Sequence, residues 1–238
     1  TFPFNFMEDD AVDSSGNTPR VSFDVATYSV TTTISHSLNG PLIFRGNGGK
    51  ATIQGPSTGT RAYLLEVTAS ETPSLATVGF QDFIFEQFGN SGSAQPGVRV
   101  STGQTHWFNC VFRNFSGSGI RITSPGTLLS CEAYGNNTAN ASNTPGMDLG
   151  AAGVVAAYCI SHHNTGSNTD GFTVSTKTHA IHSIAWANGR HGFRIGSSAD
   201  SSSIQHCDAY ANAGSGIFIG AVGTFILENN NLIGNALW

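Results

Sequence analysis

Short runs of alternating apolar and polar residues, punctuated by glycine and asparagine, recur along most of this chain. Six share one form: Gly97-Val98-Arg99-Val100, Gly119-Ile120-Arg121-Ile122, Gly146-Met147-Asp148-Leu149, Gly171-Phe172-Thr173-Val174, Gly192-Phe193-Arg194-Ile195 and Gly216-Ile217-Phe218-Ile219. A period of two predicts strands whose two apolar residues enter a core while the residue between them faces out. Asn136, Asn164, Asn188, Asn212 and Asn235 follow one another at steps of 28, 24, 24 and 23 residues, each five places after Cys131, Cys159, Ser183, Cys207 or Asn230. Self-similarity on that scale, with no helical period, selects a parallel β-helix. Residues one repeat apart then become neighbours about 4.8 Å apart. Function is therefore read down columns.

The expected architecture is all-β, a single-stranded parallel β-helix of about 8–10 rungs, with residues 1–38 as an N-terminal cap or arm and 39–238 as the coil. The first segment departs from the repeat: Phe2, Phe4, Phe6 and Met7 precede the acidic cluster Glu8, Asp9, Asp10 and Asp13. A cap that shields the terminal core and strand edge explains it, and the acidic cluster is also a candidate calcium site. The coil is expected to begin near Gly40–Gly46, with Ala51–Gly55 a further strand. From Ala76 onward each unit reads strand, turn, strand. Polar inserts stretch two units, Ser91–Pro96 and Asn137–Pro145, each just before a glycine tetrad. Insertions on one face of a solenoid map to its binding side. Leu237-Trp238 gives little sign of a cap, so another molecule or further sequence is expected to cover that end.

Asparagine in a left-handed turn can bond local backbone and the amide one rung away, so the Asn column predicts a structural ladder. Cys110, Cys131, Cys159 and Cys207 hold one inward place in their repeats, with Ser183 filling it in the intervening unit. They predict a stack of buried free thiols rather than a disulfide framework.

Composition narrows the function classes. Only 11% of residues are charged, 29 are Gly and 39% are hydrophobic, a balance of short strands and many turns rather than disorder. The formal net charge of −5 argues against a nucleic-acid partner. No apolar run is long enough to span a membrane, and no leader opens the chain, so an exported protein would be present in mature form.

The outward residues of the tetrads form a column that reads Arg99, Arg121, Asp148, Thr173, Arg194, Phe218. Three arginines on one strip, in a chain with ten Lys and Arg in all, suit a carboxylated sugar polymer, because a guanidinium grips a carboxylate bidentately. The plain alternative is a solvated face on which Asp148 pairs with Arg121. One position before the glycines stand Asp170 and His191, predicted neighbours. With Asp148 they supply two carboxylates and an imidazole for acid–base work on a glycosidic bond or a sugar C5 proton. Alternatively Asp170 caps its turn and His191 is its surface partner. A second column, Arg113, Tyr134, His162, Trp186 and Tyr210, offers either sugar platforms or mutual packing. His182 and His206 share a third column, half of a metal site without completing ligands.

The Asn ladder, with Cys131-Glu132-Ala133-Tyr134-Gly135-Asn136, Cys207-Asp208-Ala209-Tyr210-Ala211-Asn212 and Asp170-Gly171-Phe172, resembles the pectate-lyase-like superfamily of right-handed β-helices over residues 40 to 235. The resemblance implies right-handedness and, for catalytic members, extracellular cleavage or epimerisation of acidic polysaccharide, often with Asp-bound calcium and an Arg or Lys base. Asn168-Thr169-Asp170-Gly171 is similar to a polygalacturonase signature, and His191-Gly192-Phe193-Arg194-Ile195-Gly196-Ser197 to the histidine strand of those enzymes. The Asp-Asp rung between these motifs is missing. Where related lyases place a calcium-binding Asp-Asp-Gly, this chain has Arg190-His191-Gly192.

These features predict an extracellular or particle-displayed protein that binds, and in the enzymatic version cleaves as a lyase or hydrolase, acidic polysaccharide. Arg99, Arg121, Arg194 and Phe218 hold substrate; Asp148, Asp170 and His191 are the catalytic candidates. No cofactor is demanded, and Ca2+ is the one candidate. The rival is a non-catalytic β-helix of a phage virion, tail spike or surface filament, assembled as a homo-oligomer, with a trimer expected. A lectin-like module is the third alternative.

Overall fold

A computed structural model describes residues 20–30, 34–38, 42–55, 63–69, 77–87, 95–101, 103–150, 153–196, 200–220 and 222–237. The acidic cluster Glu8–Asp13, with its candidate calcium site, lies outside them. Among the described residues every regular element is a β-strand, and these strands fall into three parallel sheets of nine, nine and eight strands. The chain visits the sheets in turn, so each strand pairs with the strand three places on. This is the predicted stacked coil, with three strands per turn of chain rather than two. The extra strand, such as Gln104–Phe108 or Gly126–Leu129, occupies what the sequence pattern merged into a turn.

The coil is entered earlier than residue 39. Arg20–Asp24 pairs with Leu42–Asn47, and Thr27–Ser29 with Ala51–Gly55, so chain before that boundary already supplies the first place in each sheet. The first five tetrad strands behave as the alternation requires: Val98, Val100, Ile120, Ile122, Met147, Leu149, Phe172, Val174, Phe193 and Ile195 are buried with the residue between them part-exposed. In the sixth, Ile217 is half-buried and Ile219 is exposed, against the expected inward face. Toward the N-terminal side the core is aromatic. Phe44, Phe80 and Trp107 stack face to face, with Phe85 and Phe112 beside them.

An internal asparagine ladder holds the rungs in register. Asn136, Asn164, Asn188, Asn212 and Asn235 pass side-chain hydrogen bonds of 2.8–3.0 Å along the column, each Nδ2 donating to the next Oδ1. The same Nδ2 groups also donate to backbone carbonyls such as Phe112 O and Ser161 O. Buried amides are thereby satisfied, which a buried polar group requires. The four cysteines are free and buried. Burial pushes the Cys110 and Cys159 thiols well above their ordinary value and Cys207 up to about 11.

The tetrad glycines stand where the next rung approaches. A Cβ on Gly171 would lie 2.5 Å from the Gly192 carbonyl oxygen and 2.8 Å from Asn188 Nδ2. The bends before and after the second sheet instead use left-handed residues, including Asn109, Tyr158, His182 and His206 at one bend and Asn114, Gly135 and His163 at the other.

Candidate functional site

The third sheet places Glu66, Arg99, Arg121, Asp148, Thr173, Arg194 and Phe218 directly one upon the next. The five site residues expected on this strip therefore share it. Arg99 lies 3.7 Å from Glu66 and donates to the Tyr63 hydroxyl at 2.5 Å. Arg121 Nε donates to Asp148 Oδ2 at 2.6 Å. Burial nevertheless raises the Asp148 carboxyl above its ordinary value, outweighing the nearby Arg121 and Arg194 guanidiniums. Between Asp148 and Arg194 comes Thr173, whose Oγ1 is buried with no hydrogen-bond partner among the described residues.

Asp170 is fully buried. Arg190 grips it with two parallel bonds, Nε to Oδ1 at 2.8 Å and Nη2 to Oδ2 at 2.6 Å. The Arg194 Nη1 stands 4.0 Å from Oδ2, and the His191 backbone N–H donates to Oδ1 at 3.3 Å. The imidazole of His191 turns to the next rung, stacking on Phe218 with centroids 4.4 Å apart and accepting the Ser215 N–H at Nδ1. An accepting Nδ1 puts the proton of the neutral ring on Nε2, and burial lowers the basicity of the ring further. No hydrogen bond between side chains links any two of Asp148, Asp170 and His191 among the described residues. Each has its own partner.

Three guanidiniums, Arg121, Arg190 and Arg194, face two carboxylates, Asp148 and Asp170, leaving one positive charge in excess. Column reasoning placed Asp170 beside His191 but missed Arg190 as its partner. The insert Asn137–Pro145 was also incompletely read. Asn137, Asn140 and Asn143 all adopt positive φ, at 60°, 52° and 54°, a spacing of three visible in Asn137-Thr138-Ala139-Asn140-Ala141-Ser142-Asn143. Asn137 is buried and bonds Thr169 Oγ1 and both backbone polar groups of Ala141. Asn140 Oδ1 accepts from Ser167 N and Oγ. Exposed Asn143 reaches the site: its Oδ1 accepts from Arg190 Nη1 at 3.0 Å and Arg194 Nη1 at 2.9 Å. The other insert, Ser91–Pro96, lies mostly outside the described residues.

Arg113, Tyr134, His162, Trp186 and Tyr210 form the expected column on the second sheet. Tyr134, His162, Trp186 and Tyr210 stack nearly parallel, at interplanar angles of 11–12°. Their faces are thus used on one another, which favours mutual packing over sugar platforms. Glu132 accepts from His162 Nε2 at 2.8 Å, and that bond holds its carboxyl below the ordinary range. His182 and His206 stack with Tyr158 at a bend, and no group of three metal-ligating side chains occurs among the described residues. No helix among these residues is long and apolar enough to cross a membrane.

A family model described as "Right handed beta helix region" matches residues 90–237. No curated protein matches the chain in sequence. Among solved structures, the chain is similar to the pectate lyase Pel9A at 18% identity and a TM-score of 0.65, covering 91% of this chain and 68% of that one. It is similar to ORF18 of Geobacillus virus E2 at 17% identity and a TM-score of 0.59, covering 94% of this chain. The matched region spans 54% of the viral protein. A third similarity is to the A-module of the mannuronan C-5 epimerase AlgE4 of Azotobacter vinelandii, at 12% identity, a TM-score of 0.56 and coverages of 89% and 68%. At these identities the likeness establishes the pectate-lyase-like right-handed β-helix fold.

Proposed function

We propose that this chain, which belongs to the right-handed β-helix family, holds acidic polysaccharide along the outward column of its third sheet. The observation that carries the reading is the alignment of Arg99, Arg121 and Arg194 on one strip, with Arg190 sharing Asp170 and Asn143 with Arg194. Stacked strands repeat about every 4.8 Å, so guanidiniums at fixed intervals can engage successive carboxylates of an extended polymer. Arg99 and Arg121 are more than a third exposed at their side chains, and they can release local partners for a ligand. Phe218, 39% exposed with one face on His191, borders the strip as an apolar contact for a sugar ring.

Binding is favoured over turnover because Asp170 is fully enclosed by a bidentate guanidinium and Asp148 is paired with Arg121. With both oxygens on Arg190, Asp170 has none free to take a proton from sugar, and Asp148 has one of its two oxygens engaged by Arg121. The titles of two neighbours, a pectate lyase and a mannuronan epimerase, support an acidic glycan as the partner class. Export or display on a particle fits such a partner.

Calorimetric titration with oligogalacturonate tests the reading. Wild type binds, and Arg121→Gln with Arg194→Gln lowers affinity tenfold or more; equal affinity of the double variant would remove the column from the account. New ultraviolet absorbance from unsaturated products, abolished by Asp148→Asn, would replace binding with lyase chemistry.

A second reading rests on the first sheet, where exposed Phe108 and Leu129 are register neighbours and Phe108 borders a cavity of about 250 Å³ shared with Gly79, Phe80 and His106. An apolar strip of this kind suits subunit contacts in a particle-borne assembly. Light scattering that finds an oligomer dissociated by Phe108→Ser would support it, whereas a monomer would reject it.

A further inference from the structure

Asn143 presents a neutral amide oxygen to two guanidiniums at once. The Nη1 groups of Arg190 and Arg194 both donate to Oδ1, at 3.0 and 2.9 Å. One of these cations, Arg190, is already spent on Asp170, while Arg194 lies 4.0 Å from the same carboxylate and carries the excess charge. Two cationic donors converging on one point, with no anion at that point, describe an oxyanion position filled by a substitute. The guanidinium donors already strengthen these bonds, and a carboxylate oxygen adds full ion pairing to them, so it competes well there against an amide oxygen.

The substitute is removable. Asn143 is exposed at the outer end of the insert, whereas the root is fastened separately by buried Asn137 and by Asn140. Releasing Asn143 leaves those anchors intact.

We propose, resting on the reading of this sheet as an acidic-glycan surface, that Arg190 and Arg194 form a carboxylate subsite and that Asn143 Oδ1 occupies it in the free protein as an internal stand-in which the glycan carboxylate displaces. The insert thereby sets selectivity. A uronate gains ion pairing with both guanidiniums in the exchange, whereas a neutral sugar merely replaces one neutral acceptor by another.

Titration calorimetry with oligogalacturonate, a sulfated galactan oligosaccharide and a neutral galactan oligosaccharide tests this on wild type, Asn143→Ala, Asn143→Asp and Arg194→Gln. Removing the stand-in strengthens oligogalacturonate binding about 3- to 10-fold, the equivalent of one net hydrogen bond, and leaves the neutral oligosaccharide unchanged. Asn143→Asp installs a tethered carboxylate and weakens oligogalacturonate binding tenfold or more. Thermal melts of each variant verify folding. If wild type binds and Arg194→Gln does not, yet both Asn143 variants bind like wild type, the stand-in is overturned while the glycan surface survives. If neither wild type nor Asn143→Ala binds oligogalacturonate, both readings fall. Tighter binding of the sulfated oligosaccharide overturns the carboxylate assignment.

Discussion

Burial dominates the charge state of Asp148 even though Arg121 sits 2.6 Å away. Because the folded protein holds that proton more tightly than the unfolded chain, the contribution of Asp148 to stability is greatest below the ordinary carboxylate value and declines as pH rises through the raised one. Asp148→Asn is therefore expected to melt at a higher temperature than wild type near pH 7 and to flatten the fall of stability as pH rises above the ordinary carboxylate value of about 4. A lower melting temperature at neutral pH would show that the Arg121 pair outweighs desolvation. His191 has the opposite sign. Its basicity is depressed and its Nδ1 accepts the Ser215 N–H, so its stabilisation is present above about pH 6.5 and lost on acidification. In His191→Asn the side-chain oxygen can replace Nδ1 as acceptor, and the acid-side loss in thermal melts should shrink. The buried thiols predict a third residue-scale result: Cys110, Cys131, Cys159 and Cys207 stay inert to a thiol reagent in the native protein and all react after denaturation.

Among elements, the tetrad strands and the asparagine ladder were the most legible parts of the sequence, because alternation sets a side chain's face and repeat spacing sets its neighbour. The column from Arg99 to Phe218 followed from those two rules, and every pairing in it is found. Arg190 and Asn143 did not follow, since an arginine just outside a strand has no assigned face and the tip of an insert has no register. Their contact spans 47 residues of sequence. The ladder's structural role gives a sharp expectation at its middle. Asn188→Ala removes the acceptor of the Asn164 backbone N–H and side-chain amide and the donor to Ser161 O and Asn212 Oδ1, at roughly 1–3 kcal/mol for each buried group left without a partner, measurable by chemical denaturation. Glycine close approach gives another: Gly171→Ala forces a Cβ to 2.5 Å from the Gly192 carbonyl oxygen, whereas Gly150→Ala meets nothing nearer than 3.5 Å. Gly171→Ala should be much the more destabilising of the two in the same assay.

For the whole molecule, three parallel sheets turn a linear repeat into a surface with fixed intervals, and the third sheet gathers the described guanidinium–aspartate pairs onto one side. The central claim is that an acidic glycan lies along that side with a carboxylate at Arg190 and Arg194. A crystal structure with oligogalacturonate bound measures this most directly. The account predicts a uronate carboxylate within hydrogen-bond distance of both Nη1 groups and Asn143 moved aside; sugar seated on the first or second sheet, with Asn143 still bonded to both arginines, would contradict it.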